Sequence, residues 1–284
     1  MTVLAPRSVV ELGRGRETDT FAVTYIGNAT TLVEVGGLRL LTDPNFLHQG
    51  DHAALGGGLR TKRLLEPACT VEEVLPVDVV LLSHHHDDHF DDIAAEGLPK
   101  DTPIVTTEHA ARKLRRQGFT DTHPLRTWEA VDITAGPVRI RASAMPARHA
   151  PGLIAKVLPP VMGTVLDVAV GDRRLRAYVT GDTLLHEAME DVPRRFPGID
   201  LVLIHLGGAR IAGIQVSMDG EQGAAAIELL DPDRALPVHF EDYSVMRSPL
   251  SEFTDAVAAR GLRTEVCYLD RGGRLELELP ERPG

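Results

Sequence analysis

The densest chemical signal in the chain is the run SHHHDDH at 83–89, which follows directly on the apolar stretch VDVVLL at 77–82. His84 and His86 stand two apart, and in extended chain leaving a strand both imidazoles project to the same side. Asp88 and His89 come where a helix would begin, so a tight turn can aim one pair of side chains at one cation and the second pair at a neighbour. Neutral imidazole and carboxylate suit zinc, and also manganese or iron. A merely solvated turn would not need a fully apolar strand before it, and a purification tag does not sit in mid-chain.

Two cations about 3.5–4 Å apart can share a water, lower its pKa toward neutrality and present hydroxide to an electrophilic carbon or phosphorus. No protein nucleophile is then required, and the sequence holds neither a GxSxG elbow nor a Cys/His pair in a supporting motif. The chemistry indicated is metal-assisted hydrolysis.

Such a site needs strands whose ends converge. FAVTYI (21–26), TTLVEV (30–35) and LRLLT (38–42) are β-branched runs separated by Gly-Asn and Gly-Gly turns, an antiparallel meander. After 82 the chain alternates strands with helices. The strands are PIVT (103–106), VRIRASAM (138–145), RRLRAYV (173–179), IDLVLI (199–204), ALPVHF (235–240), TEVCYL (264–269) and RLELEL (274–279). Helices are expected over 108–117, around 221–230 and near 249–260. The stretch 46–70, rich in glycine and charge, reads as a long irregular loop. The stretch 149–165, apolar with three prolines, reads as a loop leaning over a pocket. Residues 1–20 read as an N-terminal arm or loosely attached first strand, and 21–284 as a single domain. Strands covered by helices outside and meeting each other inside give the expected class, α/β (α+β), a four-layer αββα sandwich.

Length and charge narrow the function classes. A chain of 284 residues buries enough surface for a metal-binding core without covalent staples. Cys69 and Cys267 stand outside any zinc-like spacing and read as thiols of a reducing compartment. A formal charge of −11 disfavours long nucleic acids, which need a clustered basic face, but leaves a small anionic substrate open. The first residues lack the charged start and apolar run of a secretory signal. No apolar stretch approaches the roughly 18 residues that cross a bilayer. The expectation is a cytoplasmic protein acting on a small-molecule substrate, without nucleic acid or membrane span; a homo-oligomer is compatible with all of this.

The motif His84-x-His86-x-Asp88-His89 resembles the HxHxDH signature of the metallo-β-lactamase superfamily, and the resemblance spans about 21–279. It implies the metallo-β-lactamase fold and two divalent metal ions, with zinc favoured and manganese or iron as alternatives. It implies that His84, His86 and His149 hold the first ion, that Asp88, His89 and His239 hold the second, and that Asp182 bridges them. His149 follows the strand 138–145, Asp182 lies in VTGDT, and His239 lies in ALPVHF. His85 and Asp87 occupy variable positions of the motif. Asp43, in LLTDP, is similar to the acidic residue that orients the histidine segment in this family; otherwise it starts a turn before Pro44.

The segments TYIGNATTLVEVGGLRLLTDPNF and HLGGARIAGIQVSMDGEQGAAAIELLDP resemble the branch containing L-ascorbate-6-phosphate lactonase and the N-acyl-phosphatidylethanolamine phospholipase D-like phosphodiesterases. That implies a lactone, ester or phosphodiester as the bond cleaved. The Trp-Ser-Arg of the phospholipases is absent, since Ala-Pro-Gly follows His149.

The expected catalytic groups are Asp88, Asp182 and His205. His205, at the end of 199–204, could protonate a leaving group or bind a substrate anion, or simply be satisfied by backbone. Gly207 and Gly208 permit close backbone approach and hint weakly at a phosphate cradle. The apolar stretch 153–161 could wall a pocket, plug the core or face another copy. His48 and His52 are candidates to gate the site or solvated loop residues, and His109 reads as surface. Arg60, Lys62, Arg63, Arg112, Lys113, Arg115 and Arg116 read as wet basic patches. A mononuclear iron dioxygenase, an RNA-processing nuclease and a non-catalytic metal-binding protein remain as alternatives.

Overall fold

The computed structural model describes residues 5–13, 15–56, 58–152 and 158–282. The chain begins with strands β1 (Ser8–Glu11), β2 (Thr20–Gly27), β3 (Thr30–Val35) and β4 (Leu38–Thr42), then a hairpin of β5 (His52–Gly56) and β6 (Leu59–Lys62). Helix α1 (Val71–Val74), β7 (Val79–Leu81), helix α2 (Asp92–Gly97), β8 (Ile104–Thr107), helix α3 (Glu108–Arg116) and β9 (Thr122–Leu125) complete the first half. The second half runs β10 (Ala130–Ala135), β11 (Val138–Pro146), β12 (Met162–Val170), β13 (Arg173–Val179), helix α4 (Asp191–Arg195) and β14 (Leu201–His205). A small hairpin of β15 (Arg210–Ile211) and β16 (Ile214–Gln215) follows, then helix α5 (Gly220–Leu230), β17 (Arg234–Val238), helix α6 (Leu250–Arg260), β18 (Glu265–Val266) and β19 (Arg274–Glu278).

Helix starts follow local chemistry. Thr70 and Glu73 form a reciprocal capping box on α1, and the Asp91, Thr107 and Asp219 side chains accept the third backbone N–H of α2, α3 and α5. The strands assemble into a seven-stranded sheet, β19-β2-β3-β4-β7-β8-β9, and an eight-stranded sheet, β1-β10-β11-β12-β13-β14-β17-β18. Each terminal strand crosses over. β1, within the stretch expected as an arm, pairs in parallel with β10, whereas β19 pairs with β2 in the sheet built by the other half.

The period of two along each strand builds the layers. In β4 and β7, Leu38, Leu40, Val79 and Leu81 face the core between the sheets, while Leu41 and Val80 face the helices outside. In β14, Leu201 and Leu203 face that central core, while Val202 and Ile204 meet α5 and its neighbours. Helix, sheet, sheet and helix therefore stack as the expected αββα sandwich, the metallo-β-lactamase fold. On the outer face of the second sheet the cross-strand register sets Asp132, Arg141, Asp167 and Arg176 in one row of alternating charge. Arg141 pairs with Asp132 at 2.7 Å and Arg176 with Asp167 at 2.5 Å.

Two expectations fail here. The stretch 46–70 contains the β5–β6 hairpin, whose pairing the glycine-rich sequence disguised. Of the stretch 149–165, residues 162–165 already belong to β12, and 153–157 lie outside the described residues. No described helix is long and apolar enough to cross a membrane.

Candidate metal centre

Six strand ends deliver the chemical groups to one edge of the sandwich. Asp43 follows β4, the 84–89 run follows β7, His149 follows β11, Asp182 follows β13, His205 ends β14 and His239 follows β17. β4 and β7 run parallel, as do β13, β14 and β17, so their carboxyl ends coincide. The backbone is bent to suit. His239 has φ +58, and Gly207 beside it approaches so closely that a Cβ there would sit 2.6 Å from the His239 carbonyl oxygen. Gly181, at φ +64, turns the chain into Asp182, and a Cβ there would meet the Met162 carbonyl at 2.8 Å.

All seven expected ligands are buried and converge. Four donor sets each fit within 4.8 Å: His84, His86 and His149; Asp88, His89 and His239; His84, His89 and Asp182; and Asp43, His89 and His205. His84 Nε2 lies 3.0 Å from His86 Nδ1, and His89 Nε2 lies 3.4 Å from Asp182 Oδ2. His239 Nε2 is 3.7 Å from Asp88 Oδ2. These are the edge lengths of a coordination polyhedron, since ligands about 2.0–2.1 Å from a tetrahedral zinc stand roughly 3.3 Å apart.

The donor atoms also lack other partners. Asp88 Oδ1, His89 Nε2, His149 Nε2, Asp182 Oδ1 and His239 Nε2 are buried without any hydrogen bond. So many orphaned polar atoms in one place would be costly to bury unless a cation takes them up. The far ring nitrogens are fixed. His149 Nδ1–H donates to the Val216 carbonyl at 2.9 Å, and His239 Nδ1–H to that of Leu206 at 3.3 Å, which leaves each Nε2 lone pair free. The residues present fit a pair of bound metal ions.

The charges interlock. Burial would discharge Asp182, but His239, His89 and His149 hold its carboxyl well below the usual range. Burial would likewise discharge His89, yet Asp182, Asp43 and Asp88 raise it well above its ordinary value. Burial and the surrounding imidazoles keep His84 well below its ordinary value.

A small cavity reaches this cluster. It is lined by His86, Asp88, His149 and Asp182 together with Leu55, Ala209, Ile211, Val216 and Val245. A roomier groove lies on the outer face of the second sheet, among Trp128, Asp132, Arg141, Asp167, Arg176 and Phe196, and contains none of the seven residues.

The remaining sequence candidates separate clearly. His85 Nε2 meets Gln117 Oε1 at 3.1 Å, and Asp87 Oδ2 accepts the Ala54 N–H at 2.9 Å, so both variable motif positions have structural partners. Asp43 Oδ1 accepts the Ser83 N–H at 2.7 Å and its Oδ2 faces His89 Nδ1 at 3.1 Å. His205, expected to be catalytic, does not line the cavity. It is wholly buried with Nε2 3.5 Å from Asp43 Oδ2 and Nδ1 3.3 Å from Thr180 Oγ1. Gly207 serves the close packing beside His239 and Gly208 that against Ser248 and Asp219, and the Arg247 and Ser248 N–H groups donate to the Gly207 carbonyl. His48 is exposed and paired with Glu66, His52 is exposed, and His109 is half-buried at the start of α3.

Sequence reasoning missed three participants. Asn28, at φ +51, donates from Nδ2 to the Asp88 carbonyl at 2.6 Å; the Gly-Asn turn was the only trace of it. Leu55 reaches the cavity because the hairpin forms. Arg63, taken for a wet basic residue, is fully buried, 3.5 Å from Asp242 and bonded to Asn45. Nothing in a lone arginine of a charged loop marks it as buried.

Comparison with known proteins agrees with this fold. The chain is 27% identical over 244 residues to a UPF0173 metal-dependent hydrolase of Carboxydothermus hydrogenoformans, covering 86% of this chain and 95% of that protein. It is 25% identical to the UPF0173 metal-dependent hydrolase MK1542 of Methanopyrus kandleri, covering 89% and 99% respectively. Its fold is similar to that of an isothiocyanate hydrolase from Delia radicum gut bacteria, with a TM-score of 0.75, 22% identity, and coverage of 91% of this chain and all of that one. The family model described as the beta-lactamase superfamily domain matches residues 39–240, and the chain belongs to that family.

Proposed function

We propose that this protein is a metal-dependent hydrolase that holds two divalent cations, zinc in preference to manganese or iron, and cleaves a lactone, ester or phosphodiester bond of a small molecule. The single observation that carries the reading is the set of buried, unpartnered His and Asp donor atoms gathered from four separate strand ends. His84, His86 and His149 would hold one cation and Asp88, His89 and His239 the other, with Asp182 reaching both. When bound, the ions supply Lewis acidity and a water acidified toward neutral pH.

The protein's own groups do the positioning. The Val216 and Leu206 carbonyls fix the tautomers of His149 and His239, and Asp43 fixes that of His89. Leu55, Ile211 and Val245 narrow the approach and keep bulk solvent out. His205 acts through Asp43 as a positioning residue. The printed names of the curated relatives support the hydrolase class, and the two resembling segments support a lactone or phosphodiester. Both donor triplets are complete, which favours two ions over the mononuclear iron reading.

The test is a panel of nitrophenyl esters, lactones, nitrophenyl phosphodiesters, thioesters and β-lactams with protein reconstituted in zinc, manganese or iron. Asp182→Ala and His86→Ala should each lower kcat/KM by at least about 100-fold, the upper end of what removal of an outer partner costs. Equal turnover in variants and parent would remove the hydrolase reading.

A further inference from the structure

We infer that the site selects an uncharged acyl substrate carrying a small apolar group, with Leu55, Ile211 and Val245 as its specificity determinants. This rests on the hydrolase reading above and chooses the ester or lactone over the phosphodiester. Of the nine described residues that line the cavity, four are His or Asp and the other five are Leu55, Ala209, Ile211, Val216 and Val245. All five are aliphatic. A phosphodiester or carboxylate substituent lying clear of the metal-facing donors would be stripped of water and meet no cation and no hydrogen-bond donor side chain among them. A methyl or propyl group would gain from the same wall, about three- to fourfold in binding per methylene buried.

Among the described residues, the basic side chains nearest in sequence are engaged elsewhere or exposed. Arg63 is buried against Asp242, Arg148 pairs with Glu187 at 3.0 Å, and Lys62 and Arg210 are exposed. The aliphatic wall is also a cluster apart from the main cores: Ala150, Ala209 and Val216, with Leu158, Ile211 and Val245 packed against them.

The wall is held in place rather than collapsed into it. Its residues come from the β5–β6 hairpin, the β15–β16 hairpin and the segment after His239, and hydrogen bonds stitch the three together. Val245 N–H donates to Thr61 Oγ1 at 3.1 Å, Arg210 N–H to the Val245 carbonyl at 3.2 Å, and Leu64 N–H to the Asp242 carbonyl at 2.7 Å. Asp87 anchors the first hairpin through Ala54. Val216 has two parts to play, since its side chain lines the wall and its carbonyl orients His149. The enclosed space is only about 10 Å³, so an acyl chain would lie along the aliphatic wall at the cavity mouth, and that wall offers its surface without first having to be ordered. In the reaction, water adds its oxygen to the acyl carbon, the carbon–oxygen bond to the leaving alkoxide breaks, and that alkoxide takes up a proton of the water.

The experiment uses the zinc-loaded full chain and two readouts. Binding of acetyl, pentanoyl and succinyl hydroxamates, measured by calorimetry, needs no turnover. Nitrophenyl acetate, pentanoate and hydrogen succinate, with bis-nitrophenyl phosphate, measure kcat and KM. Pentanoyl hydroxamate should bind at least about tenfold more tightly than the acetyl and the anionic succinyl analogues. Ile211→Lys and Val245→Lys, both at half-buried positions, should each reverse the preference toward the succinyl compounds, mainly through KM, with metal content and melting temperature unchanged.

Tighter binding or faster turnover of the succinyl or phosphodiester compounds by the parent protein overturns the inference. So does a preference that neither lysine variant changes. Apolar selectivity in binding with no turnover of any substrate would sink the hydrolase reading and leave the pocket's preference standing.

Discussion

Asp43 Oδ2 stands 3.1 Å from His89 Nδ1 while the other oxygen of the same carboxylate caps the Ser83 N–H at 2.7 Å. One side chain at the end of β4 thereby fixes both the backbone entering the histidine run and the ring at its end. Burial would push its carboxyl up, but His89 and His205 outweigh that and hold it at about 2. Asp43→Asn keeps the size and removes the charge. It should weaken metal binding by about 10- to 100-fold, as loss of a ligand's outer partner does. Metal retention after graded dialysis, with near-ultraviolet circular dichroism to check the fold, measures this.

Chelation should destabilise the protein. The His and Asp donors lose the cations that compensate them, and ions at 100 times their dissociation constant stabilise by about 2.7 kcal/mol. For a chain of this size the melting temperature should fall by at least about 5 °C in chelator and return on titration with zinc. Elemental analysis of the refilled protein should give two ions per chain, and one ion would contradict the paired centre.

The middle of the His triplet gives a sharper check on which side chains are ligands. His85 turns to Gln117 and Asp87 to the Ala54 N–H. His85→Ala and Asp87→Asn should keep the full complement of metal and cost only about 1 kcal/mol, the net worth of a hydrogen bond. Urea unfolding alongside metal analysis separates this from the loss expected for His84→Ala.

Arg63 is paired with Asp242, with neither side chain exposed, and Asp242 also meets Arg271 at 3.0 Å. Replacing Arg63 by Met leaves a buried carboxylate with one partner fewer. The expected cost is about 3 kcal/mol, the lower end for breaking a buried pair. Adding Asp242→Asn should cost less than the two single changes summed, because they share one interaction.

Burial raises the Asp91 carboxyl to about 6 against the N–H groups of Ala94, Leu47 and Phe46 and the charge of Arg63. An acid whose pKa is raised by folding holds its proton more tightly in the native state. Its contribution to stability is therefore full below about pH 4 and is lost as pH rises through about 6, on the order of 3 kcal/mol in all. Carbon-detected titration of Asp91 should show a midpoint near 6, and a midpoint at the ordinary carboxylate value would refute the assignment.

Much of this protein was written locally in its sequence. The meander 21–42, the strand before His84, the long helices and the HxHxDH run depend on side-chain period and short-range spacing, which a linear chain displays. Asp43 was readable as an orienting group only through the family resemblance, since by itself an Asp before Pro44 reads equally as the start of a turn. The β5–β6 hairpin was not, because its strands are held by partners such as Asp87 and Ser244 that lie far off in sequence. Arg63 looked solvated until Asn45, Tyr243 and Asp242 closed around it. His205 looked like a rim residue until the register of β14 turned its ring behind Asp43. The terminal strands exchange sheets, and the aliphatic wall gathers Leu55, Ile211 and Val245 from three segments. Those arrangements come from long-range pairing and packing, which no local pattern encodes, so they became decidable only when the chain was folded.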